Sequence, residues 1–306
     1  MQHYLIQRLL LCIPVVLGVT VIVFAILFLT PGDPVRTMVG PRASEERVQE
    51  IRSQLGLNQP WPEQYARWLG RALQGDLGIS IAAKRPVVQL IREQLPFTLS
   101  LTLAAMSIGT LLGVLLGVVA AVKHNTWVDH LITFTSLFWF SMPGFWLGLM
   151  LILVFGLWLR WTPISGYQAR GALILPALTL ALPQLGSLAR LVRTEMLEVL
   201  HEEYIKTAHA KGVHPVWVLY RHALRNALIP VAVLIFLSLP WLLGGAVVIE
   251  TIFAWPGMGR LMYQALIQKD FPVVQGLLLI IALATVLTNL LGDVVTTLLD
   301  PRIVQA

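Results

Sequence analysis

The chain has 306 residues, 57% hydrophobic and only 12% charged, a composition outside the soluble range that reads as an all-α integral membrane protein with several spans. Its formal net charge of +6 comes with no basic run interleaved with aromatics, so nothing points to nucleic acid as a partner. A single cysteine, Cys12, excludes an internal disulfide and reads as a small hydrophobe inside the first apolar run.

Apolar runs long enough to cross a bilayer, about 20 residues each, occur at Leu9–Thr30, Pro96–Val122, Leu131–Leu159 and Asn226–Ile249. Ala172–Ala189, short and carrying Pro176 and Pro183, and Val273–Leu299, with Asp293 near its end, bring the predicted transmembrane helices to six. The first run, at 22 residues, is longer than the roughly 7–15 of a secretory h-region, and TPGDP offers no small-residue cleavage site. Residues 1–30 are therefore expected to form a retained helix.

Residues 31–95 follow as a loop with helices of its own. Ser44 is a candidate N-cap, with Glu45 and Glu46 in the first turn, Val48, Ile51 and Leu55 on one face and Gly56 as the stop. A second helix is expected from Pro62 to Gly75 with Tyr65, Trp68, Leu69 and Leu73 turned inward, and a third from Pro86 to Leu95 leading into span two. The loop is small and lacks a cluster of reactive side chains. It reads as a cap over the membrane core, residues 96–306, rather than as a catalytic domain.

Span two carries Ala105, Gly109, Gly113, Gly117 and Ala121, one small residue every four positions. Such a strip lets another helix approach closely, within the subunit or across a self-dimer. Pro143-Gly144 lies midway along span three, and Pro230, Pro240 and Gly244-Gly245 punctuate span five. Breaks of this kind are tolerated in a membrane where the freed backbone is buried in protein or lines a watery cavity. Ser141, Pro143, Gly144, Ser238, Pro240 and Gly244 are thus candidate linings of a translocation path; the alternative is ordinary kinks relieved by neighbouring helices. Trp127, Trp158 and Trp161 flank span three as interfacial anchors. Beyond span five, Pro256-Gly257 makes a turn, and Gly259–Ile267 is expected as a short helix with Leu261, Met262, Ala265 and Leu266 on its apolar side.

Orientation follows from Lys and Arg. With the N-terminus inside, the inner segments hold Arg8, Lys123, Arg190, Arg193, Lys206, Lys211, Arg221, Arg225 and Arg302, and the short outer loops only Arg160, Arg170, Arg260 and Lys269. Both termini and the segment 190–225 are expected to be cytoplasmic, and the long loop to be outside, where its length exempts it from the rule.

The chain has no GxxxxGK[ST], HExxH, CxxC or GxSxG motif, so it is not expected to be an enzyme or to bind ATP through a P-loop. His201, His209, His214 and His222 lack metal-site spacing. Ionisable residues within spans are nearly absent: Glu250 ends span five, and Asp293 shares a face of span six with Asn289. A proton- or ion-driven carrier would need such groups, and an intramembrane hydrolase would need a converging nucleophile and base. Power must come from elsewhere, and the loop 201–230 offers the place. Glu202 and Lys206 form an i,i+4 pair, acids occupy the first turn, Lys211 the last, and Gly212 ends the helix. Ala208 and Gly212, four apart, are expected to leave a low surface beside Tyr204 and Ile205 for a docking protein. Val216 to Arg225 then resumes helical periodicity.

The stretch Tyr204-Ile-Lys-Thr-Ala-His-Ala-Lys-Gly212 resembles the EAA loop of binding-protein-dependent ABC importers, in its dipeptide, oligopeptide, nickel and glutathione branch. Lys206-Thr207-Ala208 stands where the general pattern has Glu-Ala-Ala, and only Ala208 and Gly212 match it; His222-Ala223-Leu224-Arg225 stands near the later Ile-x-Leu-Pro element. Further segments are similar to that branch in the same order: Pro31-Gly-Asp-Pro34, Leu55-Gly-Leu-Asn-Gln-Pro60, Gly75-Asp-Leu-Gly78 with Ser80, Trp255-Pro-Gly-Met-Gly-Arg-Leu261 and Leu299-Asp-Pro-Arg302. The resemblance implies a type I importer permease fold in a bacterial inner membrane. It implies as partners a second related permease, two ABC ATPases that carry ATP and Mg, and a periplasmic substrate-binding protein. Glu203, Tyr204, Lys206, Thr207, Ala208, Ala210, Lys211 and Gly212 would form the ATPase-coupling segment. A short peptide is the expected cargo, with glutathione or a nickel chelate as alternatives and, from another class, an ATP-independent carrier or channel.

Overall fold

The computed structural model describes residues 2–29, 35–36, 44–54 and 58–299. Among these the secondary structure is helical, apart from one isolated bridge between Ile79 and Pro86. In chain order the helices are α1 (Gln2–Leu29), α2 (Glu45–Gln54), α3 (Trp61–Leu73), α4 (Val87–Val122), α5 (Trp127–Ser141), α6 (Gly144–Leu151, continued by a π-helical Ile152–Trp158) and α7 (Ile174–Leu200). Then come α8 (Glu203–Ala210), a long α9 that runs on through Pro215–Trp217, π-helical Val218–Leu224 and Arg225–Ile252, α10 (Met258–Ile267) and α11 (Phe271–Leu299). The segments Pro31–Pro34, Gly56 and Asp300–Arg302, on which the sequence reading drew, lie outside the described residues.

Six spans were expected; among the described residues four helices are long and apolar enough to cross a membrane, α4, α7, the part of α9 from Pro215 to Pro240, and α11, which hold spans two, four, five and six. The bent pair α5–α6, span three, would make a fifth, while the apolar stretch of α1, Leu10–Ala25, is shorter. Three boundaries differ from expectation, each for a physical reason. The expected helix at Pro86–Leu95 is not separate: α4 runs 36 residues through Pro96, about 54 Å at 1.5 Å per residue, so one end must project beyond a ~30 Å hydrocarbon layer. Span three is not a single rod. It breaks at Met142-Pro143, and its two halves are bent by 106°, because proline lacks the donor and the space that a continued helix needs. The segment after α8 joins span five with no intervening loop, since Pro215 sits in a first turn, where its missing N–H costs nothing.

The small-residue strip of α4 packs within the subunit, against α7. At Gly117 an added Cβ would lie 2.7 Å from the Ala189 carbonyl oxygen and 2.6 Å from Val192 Cβ, so only glycine permits this backbone approach. α7 is the enclosed centre of the bundle: 67% of its most apolar window is buried, against 33% in α4 and 39% in α11.

One end of the bundle is stitched by two buried carboxylates. Glu250 of α9 accepts from Thr98 Oγ1 (2.6 Å) and from the Arg260 N–H (3.0 Å) in the first turn of α10. An added Cβ on Gly257 would meet Glu250 Oε1 at 2.1 Å, which explains the glycine in Trp255-Pro-Gly-Met-Gly-Arg. Asp270, 2% exposed, accepts from Ser80 Oγ (2.5 Å) and from the N–H groups of Ile81 (3.0 Å) and Ala82 (3.1 Å). The Gly75-Asp-Leu-Gly78 segment with Ser80 thus forms a turn that grips the start of α11. Of the loop helices, α3 leans on α1 through Phe24, Tyr65 and Trp68, with Tyr65 OH hydrogen-bonded to Thr20 at 2.7 Å. Leu73, expected inward, is 80% exposed, because the helix ends there, beyond its contact with α1.

Candidate functional site

α8 has eight residues, too few to hold a helix in water by itself. Its inward face anchors it. Ile205 and Ala208 are 1% and 8% exposed and pack with Val118, Val192, Met196, Val218 and Ala223 from α4, α7 and α9. This corrects the expectation that Ala208 forms a low outer surface with Gly212: a methyl at that position is what lets α8 lie close on its own subunit. The expected pair of Glu202 with Lys206 is also replaced, by a 2.7 Å contact from Lys206 Nζ to Glu203 Oε1, because the helix begins one residue later and i,i+3 then sets the geometry. Tyr204 OH accepts from Asn226 Nδ2 at 2.8 Å and ties the outer face to α9.

Gly212 ends α8 as expected. Its φ is +73°, its N–H bonds the His209 carbonyl (2.9 Å), and the Val213 N–H bonds the Ala208 carbonyl (3.2 Å), the paired bonds of a Schellman stop. Nothing lies within 4 Å of where a Cβ would stand. Glu203, Tyr204, Lys206, Thr207, Ala210, Lys211 and Gly212 form the exposed ridge of the segment.

The second feature is a cleft of about 560 Å³ between the broken span three, α7 and α9, with no charged residue in its lining. Gly144 and Ser238, two of the six expected path residues, line it. Ser141, Pro143, Pro240 and Gly244 do not: Ser141, Pro143 and Gly244 are exposed elsewhere, and Pro240 is half-buried outside the lining. On α9 the reason is angular. At about 100° per residue, Pro240 and Gly244 turn roughly 200° and 240° away from Ser238, whereas Leu234 and Ile249 share its side and line the cleft with it.

The largest contribution comes from α7, which was not among the path candidates expected from the breaks in spans three and five. Thr179, Leu180, Pro183, Gln184, Ser187 and Leu188 face the cleft. The signal was present: the polar residues Thr179, Gln184 and Ser187 recur at one helical face. Gln184 is 6% exposed, and neither its Oε1 nor its Nε2 has a hydrogen-bond partner among the described residues; a buried amide left this way costs about 1–3 kcal/mol.

Three contacts bind α5 to α7 and so connect the cleft wall to α8. Asp129, fully buried, takes a bidentate pair from Arg193, Nε to Oδ1 at 2.5 Å and Nη2 to Oδ2 at 2.8 Å, and also accepts the Asn125 N–H at 3.0 Å. His124 Nδ1 stands 3.4 Å from Asp129 Oδ2. Midway, the Ser136 carbonyl abuts Gly186. Near the cleft, the Arg190 guanidinium lies 4.6 Å above the centroid of Phe140, a cation over an aromatic face. In the sequence Arg190 and Arg193 mark orientation, and no local pattern singles out Asp129.

Residues 113–305 match the family model described as binding-protein-dependent transport system inner membrane component, and residues 1–102 match the model of its N-terminal part. The oligopeptide transport system permease protein AppB of Bacillus subtilis (strain 168) is 40% identical over 314 residues, with 99% of each chain covered. The glutathione transport system permease protein GsiC of Escherichia coli (strain K12) is 40% identical over 303 residues, again with 99% of each covered. Among solved structures, an inward-facing MetNI methionine ABC transporter aligns with a TM-score of 0.60 at 20% identity, over 69% of this chain and 97% of that one. An amino acid ABC transporter crystallised with histidines aligns with a TM-score of 0.53 at 16% identity, over 70% and 94%. These last two speak for the fold.

Proposed function

The chain belongs to the binding-protein-dependent transport system inner membrane components, the permeases of ABC importers, and from that premise we propose that its cargo is a short peptide carried from the periplasm to the cytoplasm. The observation that carries this reading is the cleft. At about 560 Å³ it lies within the roughly 300–1,000 Å³ typical of small-molecule sites, and a wall without charge that carries the hydroxyl residues Thr179, Ser187 and Ser238 suits a peptide backbone that must pass without being trapped. Whole-length likeness to an oligopeptide permease favours the same cargo. Glutathione, itself a tripeptide, is the second reading, favoured by the equal likeness to a glutathione permease.

In this reading the termini, residues 190–225 and α8 lie in the cytoplasm, and residues 31–95 form a periplasmic cap on the membrane core 96–306. Two ABC ATPases hold ATP and Mg, and one of them docks on the exposed ridge of α8. A second related permease completes the path, and a periplasmic binding protein selects the cargo. Force enters at α8, passes into α7 through the Ile205 and Ala208 contacts, and reaches the cleft wall through the ties between α7 and α5.

The deciding experiment measures ATP hydrolysis by the purified importer as its binding protein is loaded in turn with a dipeptide, an oligopeptide, glutathione and a nickel chelate. Stimulation by a peptide-loaded protein is expected. Stimulation by the nickel chelate alone would overturn the peptide assignment.

A further inference from the structure

We propose that the exposed face of the first turns of α9 holds the headgroup of an anionic phospholipid, with Arg221 and Arg225 on the phosphate and Trp217 and Tyr220 at the boundary with its acyl chains. The inference does not depend on the cargo. The two faces of these turns meet different surroundings. Val218, Ala223, Ala227 and Val231 are buried in the cluster that also holds Ile205 and Ala208 of α8. Trp217 and Tyr220 are 62% and 58% exposed, and Arg221 and Arg225 are exposed beside them. Trp217, Arg221 and Arg225 recur every four residues, about one helical turn, so they share one stripe.

Depth selects lipid as the occupant. The membrane-crossing window of α9 runs from Pro215 to Pro240, so both arginines lie inside it, near one end, with apolar residues before and after them. Only 17% of that window is buried, against 67% in α7, and its outward surface is open to what surrounds the bundle. At the end of a span that surface meets the membrane interface, where tryptophan and tyrosine turn an apolar ring toward the acyl chains and a polar edge toward water. An arginine there extends its guanidinium to the level of the headgroups. Charge points the same way. Like charges four residues apart repel, and neither arginine meets a carboxylate among the described residues. A phosphodiester between them removes the repulsion and accepts from both planar forks. The neighbouring Asn226 donates to Tyr204 OH of α8 at 2.8 Å, so the occupied patch adjoins the segment proposed to take the ATPase, and ATP hydrolysis should depend on anionic lipid.

The test reconstitutes the complete importer in vesicles of phosphatidylcholine with a rising fraction of phosphatidylglycerol. Native mass spectrometry of the extracted complex reads which lipid stays bound, and ATP hydrolysis by the importer reads the consequence. Wild type should retain phosphatidylglycerol over phosphatidylcholine. Arg221→Gln with Arg225→Gln should lower that preference about 30-fold, roughly fivefold for each cation removed, and raise the phosphatidylglycerol fraction needed for half-maximal hydrolysis. Arg221→Lys with Arg225→Lys keeps the charge and should retain most of the preference. An equal preference in wild type and the glutamine variant would overturn the proposal. Loss of the ATPases from the purified glutamine variant with lipid binding intact would overturn it too, because the patch would then belong to a protein interface. Glycerol phosphate in solution should leave the lipid in place, and displacement by it would assign the arginines to a free phosphate ester instead.

Discussion

Gly212 separates a requirement of the fold from a requirement of docking. With φ at +73°, any L side chain there pays for left-handed backbone, about 1–2 kcal/mol. With no atom within 4 Å of the added Cβ, the size of that side chain costs nothing further in the permease by itself. Gly212→Ala and Gly212→Leu should therefore lower the thermal stability of the isolated subunit in detergent equally, and Gly212→Asn should lower it less. In the assembled importer the two diverge. If an ATPase covers the ridge of α8, leucine overpacks that contact by roughly 1–3 kcal/mol beyond alanine, a further loss of about 5- to 150-fold in productive docking. Uptake in vesicles and retention of the ATPases on affinity-purified permease both read it. Equal uptake by the alanine and leucine variants would refute the reasoning, because it would mean that nothing rests on Gly212.

Gly257→Ala forces a methyl onto the carboxylate of buried Glu250 and should cost roughly 1–3 kcal/mol, seen as a lowered melting temperature; a wild-type melt would contradict the packing described. Asp129→Ala strands Arg193 and should destabilise by about 3–5 kcal/mol. The double change Asp129→Leu with Arg193→Met should recover much of that loss, and failure to recover would assign Asp129 another role. A cysteine at Ser238 should react with a small water-soluble thiol reagent and change its reactivity when ATP traps the transporter, whereas no reaction in any state would remove α9 from the path. A cysteine at exposed Ser53 should be labelled from the periplasmic face, and labelling from the cytoplasm alone would invert the proposed topology.

Spans two, four, five and six were legible because a bilayer demands long apolar runs, and that demand is written locally. So was the end of α8, since Gly212 answers a backbone requirement that no neighbour alters. What escaped was set between elements. The inward turn of Ala208 depends on which side of α8 meets α4, α7 and α9, and an alanine reads alike on either face. Pro143-Gly144 announced a break but not a bend of 106°, because the angle is fixed by α7 and α9 packing into it. On α9, the choice of Ser238 over Pro240 and Gly244 follows from which side of the helix meets α7 and the broken span three. The fourth span was undervalued because hydropathy measures affinity for lipid, and α7 mostly touches protein.

The seam between α4 and α7 bears on how the chain is made. Gly109 meets Ala181, 72 positions later (181 − 109 = 72), and at about 5–20 residues per second the ribosome needs on the order of 4–14 s to supply the second half of the contact. Throughout that interval α4 sits in the membrane with its glycine groove unoccupied, and α5 and α6 emerge before the proper occupant does. The nascent chain must therefore be held by lipid or by an insertase that shields the groove without filling it. Substitutions along the groove would be expected to show first as lost yield and premature degradation, before any defect in the finished transporter could be measured.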